Sequence, residues 1–348
     1  MTDWITIDGS AGEGGGQILR TSLALSLVTG KPFRIESIRA GRQKPGMLRQ
    51  HLTAVQAAAA MSGARVSGGD LGSRHLSFEP SQVQGGEYHL AVGTAGSATL
   101  VFQTIFPALL LARTPSRITL EGGTHNPFAP PFDFLARTFL PVIRRMGSSV
   151  DARLETHGFY PAGGGRFTVD IKPCASFGQV ALSDRGPTRV HAKALVASLA
   201  ENIAKRELSI VRERLGLDRS MCRIESIDSP VGPGNVLMIV IESETSVEVV
   251  TGFGIKGVSA EKVASAACDE AEKYLRADVP VGVHLADQLL IPMALAGAGS
   301  FRTLEPTAHT MTNADVIRKF LDVPIRIEQE SHDVYRVRVG ESSQKDRP

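Results

Sequence analysis

The chain has 348 residues, 42% hydrophobic and 21% charged, which excludes a disordered tail and allows one large domain or two. Lys+Arg 38 against Asp+Glu 36 leaves a formal charge of +2; this excludes the basic body of a non-specific nucleic-acid coat but permits a local basic groove. Cys174, Cys222 and Cys268 lie far apart with no CxxC pair, which argues against a disulfide scaffold or a structural zinc site.

The first residues, Met-Thr-Asp-Trp-Ile-Thr-Ile-Asp, have neither a basic region nor an apolar secretory core. A strand ending at Asp8 leads through a glycine loop into a helix that opens at Gln17 and runs to about Leu27. A short strand, Phe33–Ile38, enters the polar loop Arg39–Lys44, and a second helix follows near 47–61. The same order then recurs. An apolar helix led by Gln103 precedes the strand Ile118–Gly122, the loop Thr124-His125-Asn126-Pro127 and a helix near 132–146. Its most apolar stretch, around Ile105–Ala112, is too short to span a bilayer. A third helix, led by Gln288, precedes a strand at Phe301, the loop Thr307–Thr310 and a helix near 312–320. Three α/β units result, at about 1–80, 85–183 and 277–340, each with two helices over a small sheet.

The third unit is interrupted between about Asp184 and Arg276 by a βαβββα series. Thr188–Val196 reads as a strand, and Ser198-Leu-Ala-Glu201 as a capping box opening a helix to about Leu215. Strands at Met221–Ile227, Val236–Ile241 and Val247–Thr251 follow, then a helix capped by Ser259. This predicts a large domain, 1–183 and 277–340, with an inserted domain at 184–276 and a flexible tail at 341–348. The expected class is α/β, in a soluble protein of the cytoplasm with no membrane partner.

Three segments carry candidate chemistry. Asp8-Gly9-Ser10-Ala11-Gly12-Glu13-Gly14-Gly15-Gly16-Gln17, with Arg20 one turn later, runs from a strand into a helix N-terminus, a ready anion site. Alone such a loop is more often a tight turn, and it is not a Walker A loop. A carboxylate at Glu13 repels an anion unless a hard cation such as Mg²⁺ lies between them. Next, five basic side chains between Arg39 and His51 suit a polyanion clamp, with Arg39 and Arg42 capable of bidentate phosphate contacts. Composition leaves a solvated loop as the alternative. Third, His309 sits in the loop cognate to Arg39–Lys44. A lone histidine is most often structural, but a neutral imidazole can attack phosphorus without prior deprotonation.

Gly12-Glu13-Gly14-Gly15-Gly16-Gln17-Ile18-Leu19-Arg20, Leu48-Arg49-Gln50-His51-Leu52 and His157-Gly158-Phe159-Tyr160-Pro161-Ala162-Gly163-Gly164-Gly165 closely resemble the RNA 3′-terminal phosphate cyclase family. Leu285-Ala286-Asp287-Gln288 and the His309 loop extend the resemblance over essentially the whole chain. It implies three repeats similar to the C-terminal domain of a bacterial translation initiation factor, plus an insert of thioredoxin-like topology. It also implies ATP-dependent conversion of an RNA 3′-terminal phosphate to a 2′,3′-cyclic phosphate, through AMP carried on His309. Arg20, Arg39, Arg42 and a divalent ion, Mg²⁺ or Mn²⁺, would screen the phosphates, with Glu13 as metal ligand. The implied ATP contacts are Gln103, His284, Leu285, Ala286, Asp287 and Gln288; separately, Pro130 and Pro131, after Asn126-Pro127, are candidates to wall an adenine pocket. Position 284 departs from the family, where bacterial relatives commonly carry tyrosine. A non-catalytic relative in ribosomal RNA processing, or an enolpyruvyl-transferase-like enzyme, would share the fold without a nucleotide adduct. The oligomeric state stays open, with a homodimer among the options.

Overall fold

The computed structural model describes residues 3–228 and 230–340, so the tail expected at 341–348 lies outside the described residues. The chain is a mixed α/β structure with four four-stranded sheets. In chain order, β1 (Ile5–Asp8), α1 (Gln17–Thr29), β2 (Phe33–Glu36), α2 (Arg49–Ser62), β3 (Arg65–Ser67) and β4 (Leu76–Glu79) build the first, ordered β1-β2-β4-β3. The second comprises β5 (Glu87–Ala91), α3 (Ala98–Leu110), β6 (Ser116–Gly122), α4 (Phe132–Phe134), a π-helical stretch Leu135–Phe139, α5 (Leu140–Arg145), β7 (Ser149–Thr156) and β8 (Gly165–Lys172). Its order is β5-β6-β8-β7.

After β9 (Ala181–Leu182) come β10 (Thr188–Ala197), α6 (Asn202–Leu215), β11 (Cys222–Ile227), β12 (Gly234–Ser243), β13 (Val247–Phe253) and α7 (Ala260–Ala277). These strands form a sheet of their own, β11-β10-β12-β13. The chain closes with α8 (Val283–Ala296), β14 (Ala298–Thr303), α9 (Ala308–Phe320), β15 (Ile325–Ser331) and β16 (Val334–Gly340). The last sheet, β9-β14-β16-β15, takes its first strand from before the β10–α7 segment and the rest from after it. In all three sheets outside that segment the first pair is parallel and the other two are antiparallel.

Helix starts differ from the sequence expectation. Helix α3 opens at Ala98, where Ser97 Oγ accepts from Leu100 N at 3.2 Å, so Gln103 lies inside it. Helix α8 opens at Val283, placing Gln288 in its second turn. Helix α9 opens at Ala308 behind a Thr307 cap, which puts His309 in a helix rather than a loop. The capping box at Ser198–Glu201 does not form: Ser198 takes a left-handed φ of 49°, and α6 opens with no side-chain cap. Ser259 does cap α7, accepting from Lys262 N at 3.3 Å.

Strand β12 ties the two cores together. Val236, Met238 and Val240 face the main core, whereas Leu237, Ile239 and Ile241 face α6 and α7. Side chains alternate across a strand, so a continuous apolar run signals burial on both faces. That sheet therefore packs over the helix of residues 132–145 and brings β13 to the edge of a cleft.

One buried carboxyl gives a stability test. Glu207 of α6 is fully buried; its Oε2 accepts from Asn235 Nδ2 at 3.0 Å, and its Oε1 has no partner among the described residues. Burial pushes this carboxyl up from 4.5 to about 7. The folded state thus holds the proton more tightly, so a cost absent below pH 4.5 grows as pH rises and is complete above about pH 7. Such a shift amounts to roughly 3 kcal/mol. Glu207→Gln is expected to gain that order of stability at pH 8 relative to pH 5, measured by urea unfolding; parallel pH profiles for the two proteins would refute the assignment.

Candidate active site

The glycine loop joins β1 to α1 and needs positive φ, 56° at Gly12 and 58° at Gly14. A Cβ on Gly12 would lie 2.1 Å from Thr312 Oγ1, so the loop packs directly on α9. Glu13 N donates to that hydroxyl at 3.0 Å. The Glu13 side chain is only 4% exposed. Its Oε1 accepts from Gln17 N at 3.3 Å and so caps α1. Its Oε2 is paired with Arg42 and lies 3.9 Å from His309 Nδ1.

A polar relay joins three helices behind His309. Gln17 Nε2 donates to Asp287 Oδ1 at 2.5 Å, and Gln17 Oε1 lies 2.5 Å from His309 Nδ1. With the amide nitrogen committed to the carboxylate, its oxygen must accept, so His309 carries its proton on Nδ1 and a lone pair on Nε2. Asn313 Nδ2 donates to Asp287 O and Oδ1, at 2.9 and 3.0 Å, and Asn313 Oδ1 accepts from Thr21 Oγ1 at 2.8 Å. Desolvation pushes the Asp287 carboxyl up, against the Gln17 hydrogen bond and the charges of His309 and Arg20.

Arginine side chains supply the positive field. Desolvation lowers Arg20, opposed by Asp287 and Glu13. Arg39 is buried with a left-handed φ of 56°. It staples its own loop, donating to Lys44 O at 2.6 Å and Gly46 O at 2.7 Å. Arg42 is exposed toward the cleft. His51, counted in the sequence among the five basic side chains of the clamp, is instead buried beneath them, and Leu48 N donates to its Nδ1 at 3.2 Å. Burial, then Arg20 and Arg39, push this imidazole well below its ordinary value, so it stays neutral among the cations.

Glu13, Gln17, Arg20, Arg39, Arg42, His51, Asp287, His309 and Asn313 all border one cleft of about 1350 Å³. Its other end is more apolar. Gln103 and Pro107 of α3, Pro130, Phe134, and Thr251 and Phe253 of β13 line it. His284, Asp287, Gln288 and Ile291 lie on one face of α8 and also line it. The ring of His284 is edge-on to Phe134 at 6.3 Å. Leu285 and Ala286 do not: they are buried on the opposite face of that helix, where the 3.6-residue period turns them into the core. Pro107 and Pro292 lack the N–H that would bond the carbonyls of Gln103 and Gln288 four residues earlier. Gln288 Oε1 is buried with no hydrogen-bond partner among the described residues, an acceptor in want of a donor. Thus Glu13, Arg20, Arg39, Arg42, Gln103, Pro130, His284, Asp287, Gln288 and His309 share one cleft. Among residues the sequence reading left out, Thr312 and Asn313 follow His309 by three and four positions, a same-face spacing that a correct start of α9 would have revealed.

Among the described residues no helix is long and apolar enough to cross a membrane. A family model described as RNA 3′-terminal phosphate cyclase matches residues 11–327. The RNA 3′-terminal phosphate cyclase of Koribacter versatilis is 54% identical over 329 residues, covering 94% of this chain and 93% of that protein. Proteins of the same name from Ralstonia nicotianae and Salmonella typhimurium are 49% and 46% identical. They cover 97% and 98% of this chain, and 97% and 100% of their own lengths.

The relay predicts a fixed tautomer. Ring ¹⁵N shifts at pH 8 should report protonated Nδ1 and unprotonated Nε2 for His309, and Gln17→Ala should shift them toward a mixture of tautomers. Identical ring shifts in both proteins would remove Gln17 from that role.

Proposed function

The chain belongs to the RNA 3′-terminal phosphate cyclase family, and from that premise we propose that it converts an RNA 3′-terminal phosphate to a 2′,3′-cyclic phosphate with ATP. The observation that carries this reading is the His309–Gln17–Asp287 relay facing a cleft lined by Arg20, Arg39 and Arg42. His309 Nε2 attacks the α-phosphorus of ATP; a P–N bond forms and the P–O bond to pyrophosphate breaks. The imidazolium so formed keeps its Nδ1 proton on Gln17 Oε1, with Asp287 behind the amide. An oxygen of the RNA 3′-phosphate then attacks the same phosphorus, and neutral imidazole leaves. Finally the 2′-hydroxyl attacks the activated 3′-phosphate, giving up its proton and expelling AMP. That last step requires RNA, since DNA has no 2′-hydroxyl.

The residue inventory suits polyanion transfer, in which positioned cations neutralise developing charge. The apolar end of the cleft suits adenosine, with the unpartnered Gln288 Oε1 ready for a nucleoside hydroxyl or amino donor. Pro130, His284 and Gln103 would complete that wall. Glu13 offers a single carboxylate, and the described residues hold no cluster of three metal-binding side chains. This donor set fits an ion carried mainly by nucleotide phosphates, as Mg²⁺ or Mn²⁺ would be, with Glu13 as its protein ligand. Such an ion would screen phosphate charge.

The common order of three sheets supports reading 1–183 and 277–340 as three copies of one unit. The insert at 184–276 has a sheet ordered second-first-third-fourth, with its third strand antiparallel to both neighbours, which supports a thioredoxin-like topology. Three free cysteines agree with a reducing compartment such as the cytoplasm.

Incubation with α-labelled ATP and Mg²⁺ or Mn²⁺ should leave AMP on the wild-type chain, acid-labile and alkali-stable as a P–N bond requires. His309→Ala should take no label; label persisting there would sink the nucleophile assignment. Arg42→Ala loses a charge-assisted contact of about 1.5–3 kcal/mol, a ten- to hundredfold slowing of transfer. Unchanged adenylylation and cyclisation rates in that variant would reduce the Arg39–Lys44 loop to a solvated turn.

A further inference from the structure

Two large aromatic rings stand out of the protein at the mouth of the cleft. Phe128 is 80% exposed and Tyr160 57% exposed, and the rings meet edge to face at 6.0 Å. Neither sits on a loose segment. Asn126 is buried; its Oδ1 accepts from Phe128 N at 3.1 Å and its Nδ2 donates to Ala95 O at 3.2 Å. The residue before Tyr160, Phe159, is buried against the rings of His125 and His157. Its carbonyl accepts from Gly163 N at 2.7 Å. A rigid pair of exposed aromatics is an uncommon use of apolar surface and points to a ligand.

Two cations that line the same cleft show what kind of ligand. Lys44 and Arg49 are exposed there and have no ion-pair partner among the described residues. Arg49 is the first residue of α2, where the helix dipole disfavours a cation unless an anion lies in front of it. Unpaired cations and exposed aromatics bordering one cleft match single-stranded nucleic acid, whose phosphates take the charge while its bases stack.

We propose that Phe128 and Tyr160 form a stacking platform for bases next to the reacting 3′ end of the RNA, with Lys44 and Arg49 holding the adjoining backbone phosphates. This rests on the cyclase reading and adds the surface that holds the polynucleotide beyond its terminal phosphate. Stacking needs only a π-face, so the platform tolerates any base. The end is then selected by its single-strandedness and its phosphate rather than by its sequence.

The test is fluorescence anisotropy with a short single-stranded oligoribonucleotide ending in a 3′-phosphate, compared with the same oligonucleotide made abasic at its last two residues. Wild type should bind the abasic form at least tenfold more weakly. The Phe128→Ala/Tyr160→Ala double variant should lose about as much affinity for the intact form and distinguish the two less than twofold. Phe128→Ala/Tyr160→Trp should regain part of the distinction lost in the double alanine variant, which a merely unfolded loop would not. Lys44→Ala and Arg49→Ala should each lower the slope of log Kd against log salt by about one while leaving the abasic penalty intact. An abasic penalty equal in wild type and double variant overturns the platform. So does concentration-dependent self-association of wild type, seen by sedimentation and lost in Phe128→Ala, since a second copy would then cover the rings. Labelling of the wild-type chain by α-labelled ATP, run alongside, separates this outcome from failure of the cyclase reading itself.

Discussion

A single side-chain amide, that of Gln17, joins three helices at the floor of the cleft. It is the first residue of α1, donates to Asp287 on α8 and accepts from His309 on α9. An amide has one donating and one accepting end, so fixing one end fixes the other. That polarity is why the imidazole turns its lone pair outward. Asn313 and Thr21 extend the chain so that α9 and α1 meet through satisfied polar groups. Leaving any of these unpaired at the cleft floor would carry the full penalty of an unsatisfied polar atom.

The electrostatics around this relay carry more positive than negative charge. Arg20, Arg39 and Arg42 converge on Glu13 and Asp287, and each charged group is desolvated or paired at some cost. His51 lies beneath the cations and remains neutral, because burial and two guanidinium groups oppose its protonation. It fills space among positive charges without adding another. The surplus of cations means the cleft is most stable with anions in it.

The β10–α7 segment takes part in the site although it carries none of the proposed reacting groups. Its strand β12 is buried on both faces, so the segment is welded to the main body through Val236, Met238 and Val240. The adjacent β13 then offers Thr251 and Phe253 as part of the cleft wall. An insertion held this firmly acts as a wall rather than a tethered accessory, since removing it would expose one side of a strand made of apolar residues.

The sequence by itself determined the α/β class, the positions of about half the strands and the segments that meet in the cleft, because these follow from local patterns. Glycines at 12 and 14 announced a loop needing positive φ, the βαβββα series announced the segment 184–276, and clustered arginines announced an anion site. Helix starts were less legible: α3, α8 and α9 open four or five residues earlier than their apolar runs suggested, because Ser97, Thr307 and Gly282 end the preceding backbone regardless of periodicity. That error hid Asn313 and Thr312; Leu285 and Ala286, taken from the family motif as a contiguous segment, are turned into the core by the helical period. Only the tertiary structure decided the tautomer of His309, the neutral state of His51 and the pairing of Arg42 with Glu13. Each depends on distances between groups as far apart in sequence as Gln17 and His309, and no local pattern carries that information.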